Sequence, residues 1–384
     1  MSNSVPISGS VAWGFEGVRS AFEENFISRG EVGAAVHIRI HGEVVVDLRG
    51  GWADPLAHRE WSEDTLVNVY SVGKAFVAMA ALQQVDRGLV ELDEPLARIW
   101  PEFANGGKEE ATLRMALCHQ AGVPAIGRLL KNADLSSWTT MVTALEETPA
   151  WFEPGSQHMY HTNTYGHLIG EVVRRTTGKT PGVYLRDLTS SLDADVHVGL
   201  REGELERCAE VQFVSDLDPS TIDLDQMSGD QAVVMRSYFN PPGYSSFGLV
   251  NTTEWREAEI PSTNTHASAE GIAKIYEGLL EPGRLLSPEL LKEATSIQSE
   301  GPCKVLGEIA TFGLGFTPTT PRRPFGPNPG SFGHFGTGGA LGFADPTAGL
   351  AFGYAMNHVI PRWQSTRNQA LRAAVYDAIG GGSL

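Results

Sequence analysis

The feature of this 384-residue chain that most limits its fold is the placement of strand-like and helix-like sequence. Strand texture lies near both ends, and helical texture fills the middle. Residues 33–40 (GAAVHIRI) and 44–49 (VVVDLR) read as two strands rich in β-branched residues, with Val36, Ile38 and Ile40 on one face. His41-Gly42 between them suits a tight hairpin turn. After residue 310 the chain turns Gly-rich and apolar (FGLGF, then SFGHFGTGGALGFADPTAGLAFGYAMN), the texture of antiparallel strands and short turns. Residues 13–29, 71–87, 267–281 and about 363–379 read as helices, and helical patterns dominate from 71 to about 190. These placements predict an α+β fold, an α/β sandwich whose antiparallel sheet is built from both chain ends and flanked by helices. The expected division joins 1–75 with 262–384 and inserts a mostly helical domain at 76–261. Residues 200–260 are polar, acidic and broken at Pro241, Pro242 and Gly243; they read as a long excursion able to wall a binding site.

Charge and cysteine usage narrow the function. The formal net charge of −17 opposes binding to phosphate backbones, and it weakly favours neutral or cationic substrates over anionic ones. Cys118, Cys208 and Cys303 are far apart and form no CxxC pair, so no disulfide framework is expected and the thiols read as buried or incidental. The first residues lack a basic stretch followed by an apolar one, so no signal peptide is expected, and no run of 18 apolar residues predicts a membrane span. The expectation is a cytoplasmic protein that binds neither nucleic acid nor membrane. Oligomeric state is not legible.

Three short segments hold residues able to do chemistry. In Ser71-Val72-Gly73-Lys74, the only S-x-x-K in the chain, residues three apart share one helix face. Ser71 would sit at the helix N-terminus, where free N–H groups favour negative charge. A buried Lys74 one turn inside would lose its charge and could take the serine proton. Taken alone, the four residues also suit an N-cap serine beside an exposed lysine. The second segment runs from Glu153-Pro154-Gly155 to Tyr160-His161-Thr162, just before an apolar helix, and presents Tyr160 as a proton relay or as a satisfied core phenol. His158, His161 and His167 lie there too, without the acidic neighbours or spacing of a metal site. The third, Gly333-His334-Phe335-Gly336-Thr337-Gly338-Gly339, is dense in small residues that let a substrate approach the backbone. A backbone N–H from it, with that of Ser71, could hold an oxyanion. There is no G-x-S-x-G elbow, dinucleotide fingerprint or Walker motif.

In this order, the three segments resemble the S-x-x-K, Y-x-N and K-T-G/H-x-G/W-G-G motifs of the serine β-lactamase and penicillin-binding-protein superfamily. The resemblance is to the class C β-lactamase-like branch that includes the family VIII carboxylesterases. It extends over about residues 30–360, through TLRMALCHQAGVP (112–124), EPGSQHMYHTNTYGHLIGEVVRRTTG (153–178), EIPSTNTHASAEGIAKIYEGLL (259–280) and GHFGTGGALGFADP (333–346). The third of these stretches favours esterases over β-lactamases.

The resemblance implies a β-lactamase/transpeptidase-like fold and a serine hydrolase working through an acyl-enzyme. It implies Ser71 as nucleophile, Lys74 as base and Tyr160 as second acid or base. His334, Gly336 and Thr162 would contact substrate, and the Ser71 and Thr337 N–H groups would form the oxyanion hole. No metal or organic cofactor is implied. Two positions depart from the pattern: Thr162 stands where Asn is usual, and His334 stands where β-lactamases carry Lys. Both suit an uncharged ester, so a carboxylesterase on small or medium esters is the leading expectation. A β-lactamase, a D-amino-acid peptidase or amidase, an acyltransferase, or a non-catalytic binding protein of the same fold are the alternatives.

Overall fold

The computed structural model describes residues 5–214, 217–360 and 365–380. Its main sheet is antiparallel and joins both chain ends. Across it run Ile7–Val11, Glu43–Asp54, Gly33–Ile40, Leu350–Met356, Leu341–Asp345, Phe332–Phe335 and Thr317–Pro318. The hairpin at His41-Gly42 forms as expected, with both residues at positive φ (49° and 87°). The second strand runs past residue 49, through Gly50-Gly51 to Asp54. Glycines read as breakers in sequence, but this strand is bonded on both sides: Gly50 pairs with Ile7 on one neighbour and Ala34 on the other.

Alternating residues face opposite layers. Tyr354 donates to Glu31 Oε2, and Arg367 Nη1 donates to Glu31 Oε1 at 2.7 Å, which ties that face to the C-terminal helix Thr366–Ala378 and its partner Glu16–Ser28. The neighbouring Gly353 faces the helix Ala269–Leu280; a Cβ there would meet the Ala269 carbonyl oxygen at 2.0 Å. That glycine lets helix and sheet close. Both expected terminal helices are slightly shorter than their sequence signals, and residues 363–364, the start of the expected last helix, lie outside the described residues.

Residues 76–261 hold mostly helices, including Val72–Asp86, Trp138–Glu147, Thr164–Thr177 and Pro181–Ser191. A small sheet of Val67–Asn68, Thr265–Ala267 and Val196–Val198 links this region to the first turn of Val72–Asp86. The excursion at 200–260 is made of short elements around the helix Gly229–Phe239. The three cysteines are free and buried.

Candidate active site

Between strand Val67–Asn68 and helix Val72–Asp86 the chain must reverse in three residues. It does so with Tyr70 at φ 52°, in the left-handed region that a bulky side chain adopts only under constraint. Such a conformation costs about 1–3 kcal/mol. The buried Tyr70 ring holds it there, with its hydroxyl accepting from Ser246 Oγ at 3.3 Å. The strain thus sits directly before Ser71.

Ser71 occupies the N-cap position, yet its hydroxyl caps nothing. It lies 3.0 Å from Lys74 Nζ and 3.1 Å from the Tyr160 hydroxyl, which donates to it. This removes the plain capping role. Lys74 is buried, and its other bond goes to the Ser262 carbonyl at 3.1 Å. Burial alone drives the Lys74 titration point well below that of an ordinary lysine. The amine also stands over the Tyr160 ring, 5.0 Å from its centroid. Burial pushes the Tyr160 phenol up, against the opposing bond with Ser71, so the phenol keeps its proton.

Tyr160 is fixed as a core aromatic would be. Its ring stacks on Phe312 (5.9 Å, 10°) and tilts against His119 (4.8 Å), and its backbone N–H donates to Cys303 Sγ at 3.2 Å. The ring is thus packed as a core aromatic while its hydroxyl lies on the serine.

The three segments converge on a cleft of about 130 Å³. Ser71, Tyr160, Thr162, His334, Gly336 and Thr337 all line it. His334, on strand Phe332–Phe335, directs Nδ1 to the Phe335 carbonyl at 2.8 Å. Burial, reinforced by the nearby Lys74, lowers its titration point to about 3, so the ring is neutral. Thr337 is exposed at the start of the turn Thr337–Gly339.

Gly336 of the third segment also has a packing role. A Cβ at Gly336 would sit 2.4 Å from the Val69 carbonyl oxygen. The missing side chain makes room for the protein's own backbone, so the third segment can close on the turn before Ser71. Gly336 contributes to the cleft through its backbone alone.

Thr162 leaves Lys74 without an amide partner, and the Ser262 carbonyl stands in that role. The adjacent Asn163 is turned away: its Nδ2 donates to Ser237 O and Ser245 Oγ, both at 2.9 Å. The three histidines of the second segment are each engaged elsewhere. His158 Nε2 meets Gly301 O, His161 Nδ1 meets Met159 O, and His167 Nδ1 meets the Tyr244 hydroxyl. Among the described residues, no three His, Cys, Asp or Glu side chains gather as a metal site.

The beta-lactamase family pattern matches residues 18–376. This chain belongs to the beta-lactamase family. Within the family, it is 30% identical over 361 residues to the esterase/beta-lactamase LipL of Mycobacterium tuberculosis, covering 90% of this chain and 82% of that protein. It is 27% identical to esterase EstB of Burkholderia gladioli over 93% of this chain and 94% of that one. The crystal structure of a family VIII carboxylesterase superposes with a TM-score of 0.89 at 35% identity, over 97% of this chain and all of the other. The fold is accordingly β-lactamase/transpeptidase-like, as expected.

Sequence reasoning missed several residues of the beta-lactamase-family cleft. Tyr238 comes from the 200–260 excursion, which was expected to wall a site without a residue being named. Phe312 and Leu306 supply apolar surface beside Phe335 of the third segment, and Arg323 enters from the loop before strand Phe332–Phe335. Their spacing carries no signal, because only tertiary packing brings the helix Gly229–Phe239, the hairpin of Ser299–Cys303 and Glu308–Phe312, and the loop at Arg323 to one cleft. Among the described residues, no helix is long and apolar enough to cross a membrane.

Proposed function

We propose that this chain hydrolyses short carboxylic esters through an acyl-enzyme on Ser71. The observation that carries the reading is the placement of one serine hydroxyl within bonding reach of both a buried lysine and a buried tyrosine, at the wall of a small cleft. Neutral Lys74 takes the Ser71 proton as Oγ attacks the ester carbonyl. The N–H groups of Ser71 and Thr337 hold the oxyanion, a contribution of several kcal/mol where such donors have been deleted in other enzymes. Collapse expels the alcohol, whose oxygen takes the Tyr160 proton. The resulting phenolate then takes a proton from water, the hydroxide attacks the acyl carbonyl, and Lys74 returns its proton to Ser71 as the acid leaves.

The esterase names of two relatives and the carboxylesterase neighbour support ester over amide substrates. A cleft of about 130 Å³ suits a short acyl group. The double name of LipL favours a second reading, β-lactam hydrolysis by the same serine. The three free, buried thiols suit a reducing, cytoplasmic setting.

The test is intact-protein mass spectrometry after exposure to a fluorophosphonate, with a p-nitrophenyl ester panel run on wild type and Ser71→Ala. One adduct on Ser71, and ester turnover lost in the variant, is the expected result. Turnover that survives in Ser71→Ala overturns the reading. Nitrocefin run alongside decides the second reading.

A further inference from the structure

Tyr160 sits on a stretch without regular secondary structure. Residues 156–161 belong to no helix or strand, and the helix Thr164–Thr177 begins only after a turn at 162–163. Its hydroxyl must nevertheless stay within hydrogen-bond reach of Ser71, and a misplacement of about 1 Å can cost about 10²-fold in rate. Something outside the stretch has to hold it.

His119 does so from both flanks. It belongs to the stretch 112–124, which lies outside the three segments that carry the chemistry. The Met159 N–H donates to the His119 carbonyl at 3.1 Å, and the His161 N–H donates to His119 Nδ1 at 3.1 Å. Between these two bonds the His119 ring lies against the Tyr160 ring, with 4.8 Å between centroids. The imidazole is fixed in turn by Phe312, edge-on at 4.5 Å, and by Tyr165 at 4.8 Å. Since Nδ1 accepts a backbone N–H, the ring is neutral and carries its proton on Nε2. Burial, then the nearby His161 and Lys74, holds its titration point well below that of an ordinary histidine. The His119 backbone is left-handed, with φ 66°, and in this conformation its carbonyl and its ring reach the same three residues.

We propose that His119 is a positioning residue for the reaction, a neutral imidazole that clamps residues 159–161 and so sets the Tyr160 hydroxyl on Ser71. This rests on the ester-hydrolase reading above and adds to it a residue that does not line the cleft and acts only through Tyr160.

Two substitutions separate the clamp from the backbone. Glycine and asparagine both tolerate the left-handed conformation and both remove the ring, but only asparagine offers an acceptor, Oδ1, in the place of Nδ1. Steady-state p-nitrophenyl ester kinetics are measured per active site, counted by fluorophosphonate labelling of Ser71. His119→Gly should lower kcat by at least about tenfold with KM changed by less than about threefold, and His119→Asn should recover at least about fivefold of the loss. In Tyr160→Phe there is no hydroxyl to aim, so adding His119→Gly should lower kcat by less than about threefold more. A smaller loss in His119→Gly, a loss carried by KM instead, a weaker recovery by asparagine, or the same loss repeated in Tyr160→Phe overturns the proposal. If His119→Gly yields no labelled protein, His119→Asn decides: kcat within about tenfold of wild type sustains the clamp, and a larger loss overturns it. Each of these failures leaves wild-type turnover that depends on Ser71, and with it the hydrolase reading; no turnover of any ester by wild type removes both.

Discussion

Replacing Lys74 by Met separates the fold from the chemistry. In the unfolded chain this amine titrates near about 10.4. In the native chain, burial holds its titration point well below that. Between the two values the unfolded chain binds one more proton than the native chain. Native stability therefore rises with pH across this window at about 1.4 kcal/mol per pH unit, and the penalty vanishes above the unfolded value. Methionine is of similar length and does not titrate, so the variant lacks this slope. It also leaves the buried Ser262 carbonyl without its partner, a loss of about 1–3 kcal/mol that is the same at every pH. The slope, and not the offset, is the diagnostic. Guanidinium unfolding of both proteins from about pH 8 to about pH 9.5 should show the wild-type-minus-variant difference climbing by about 2 kcal/mol, while all other titrating groups cancel. Esterase activity should fall by about 10²–10⁴. A flat difference would mean that Lys74 keeps its charge in the folded protein, and the general-base role would fail with it.

Three further outcomes follow from single contacts. Tyr160→Phe keeps the ring between Phe312 and His119 and removes only the hydroxyl on Ser71, so kcat should drop by about 10²–10⁴ with the melting temperature nearly unchanged; near-normal kcat in steady-state assays would refute the proton-transfer role. Gly336→Ala drives a methyl against the Val69 carbonyl and should cost about 1–3 kcal/mol in unfolding free energy while lowering kcat; unchanged thermal melting and turnover would refute the close approach. Asn368 Nδ2 donates to the Gly339 carbonyl at 2.9 Å, beside the Thr337 turn. Asn368→Ala should therefore lower kcat more than it changes KM, because the oxyanion N–H is needed chiefly in the transition state; a change in KM alone would refute that placement.

The strands at 33–40 and the Gly-rich strands after 310 were legible because period and composition are local properties, and pairing followed from the absence of other partners. The edge strand Ile7–Val11 was not, since it is short, half exposed and strand-like only once Glu43–Asp54 is beside it. Ser71, Lys74 and Tyr160 were nameable from motif order. Their relation was not, because 89 residues separate Ser71 from Tyr160 and only packing brings the two hydroxyls to 3.1 Å.

What the sequence determined by itself is the set of groups available for chemistry and the two textures that compel a sheet built from both ends. Residue type and local period require no knowledge of the fold. What only the tertiary structure decided is the state of those groups. Burial strips Lys74 and His334 of charge, packing sets the Ser71 hydroxyl between Lys74 and Tyr160 instead of on a capping bond, and sheet pairing brings Arg323 to a cleft whose lining holds no carboxylate. A titration point and the sign of a field depend on neighbours distant in the chain, and those exist only after folding.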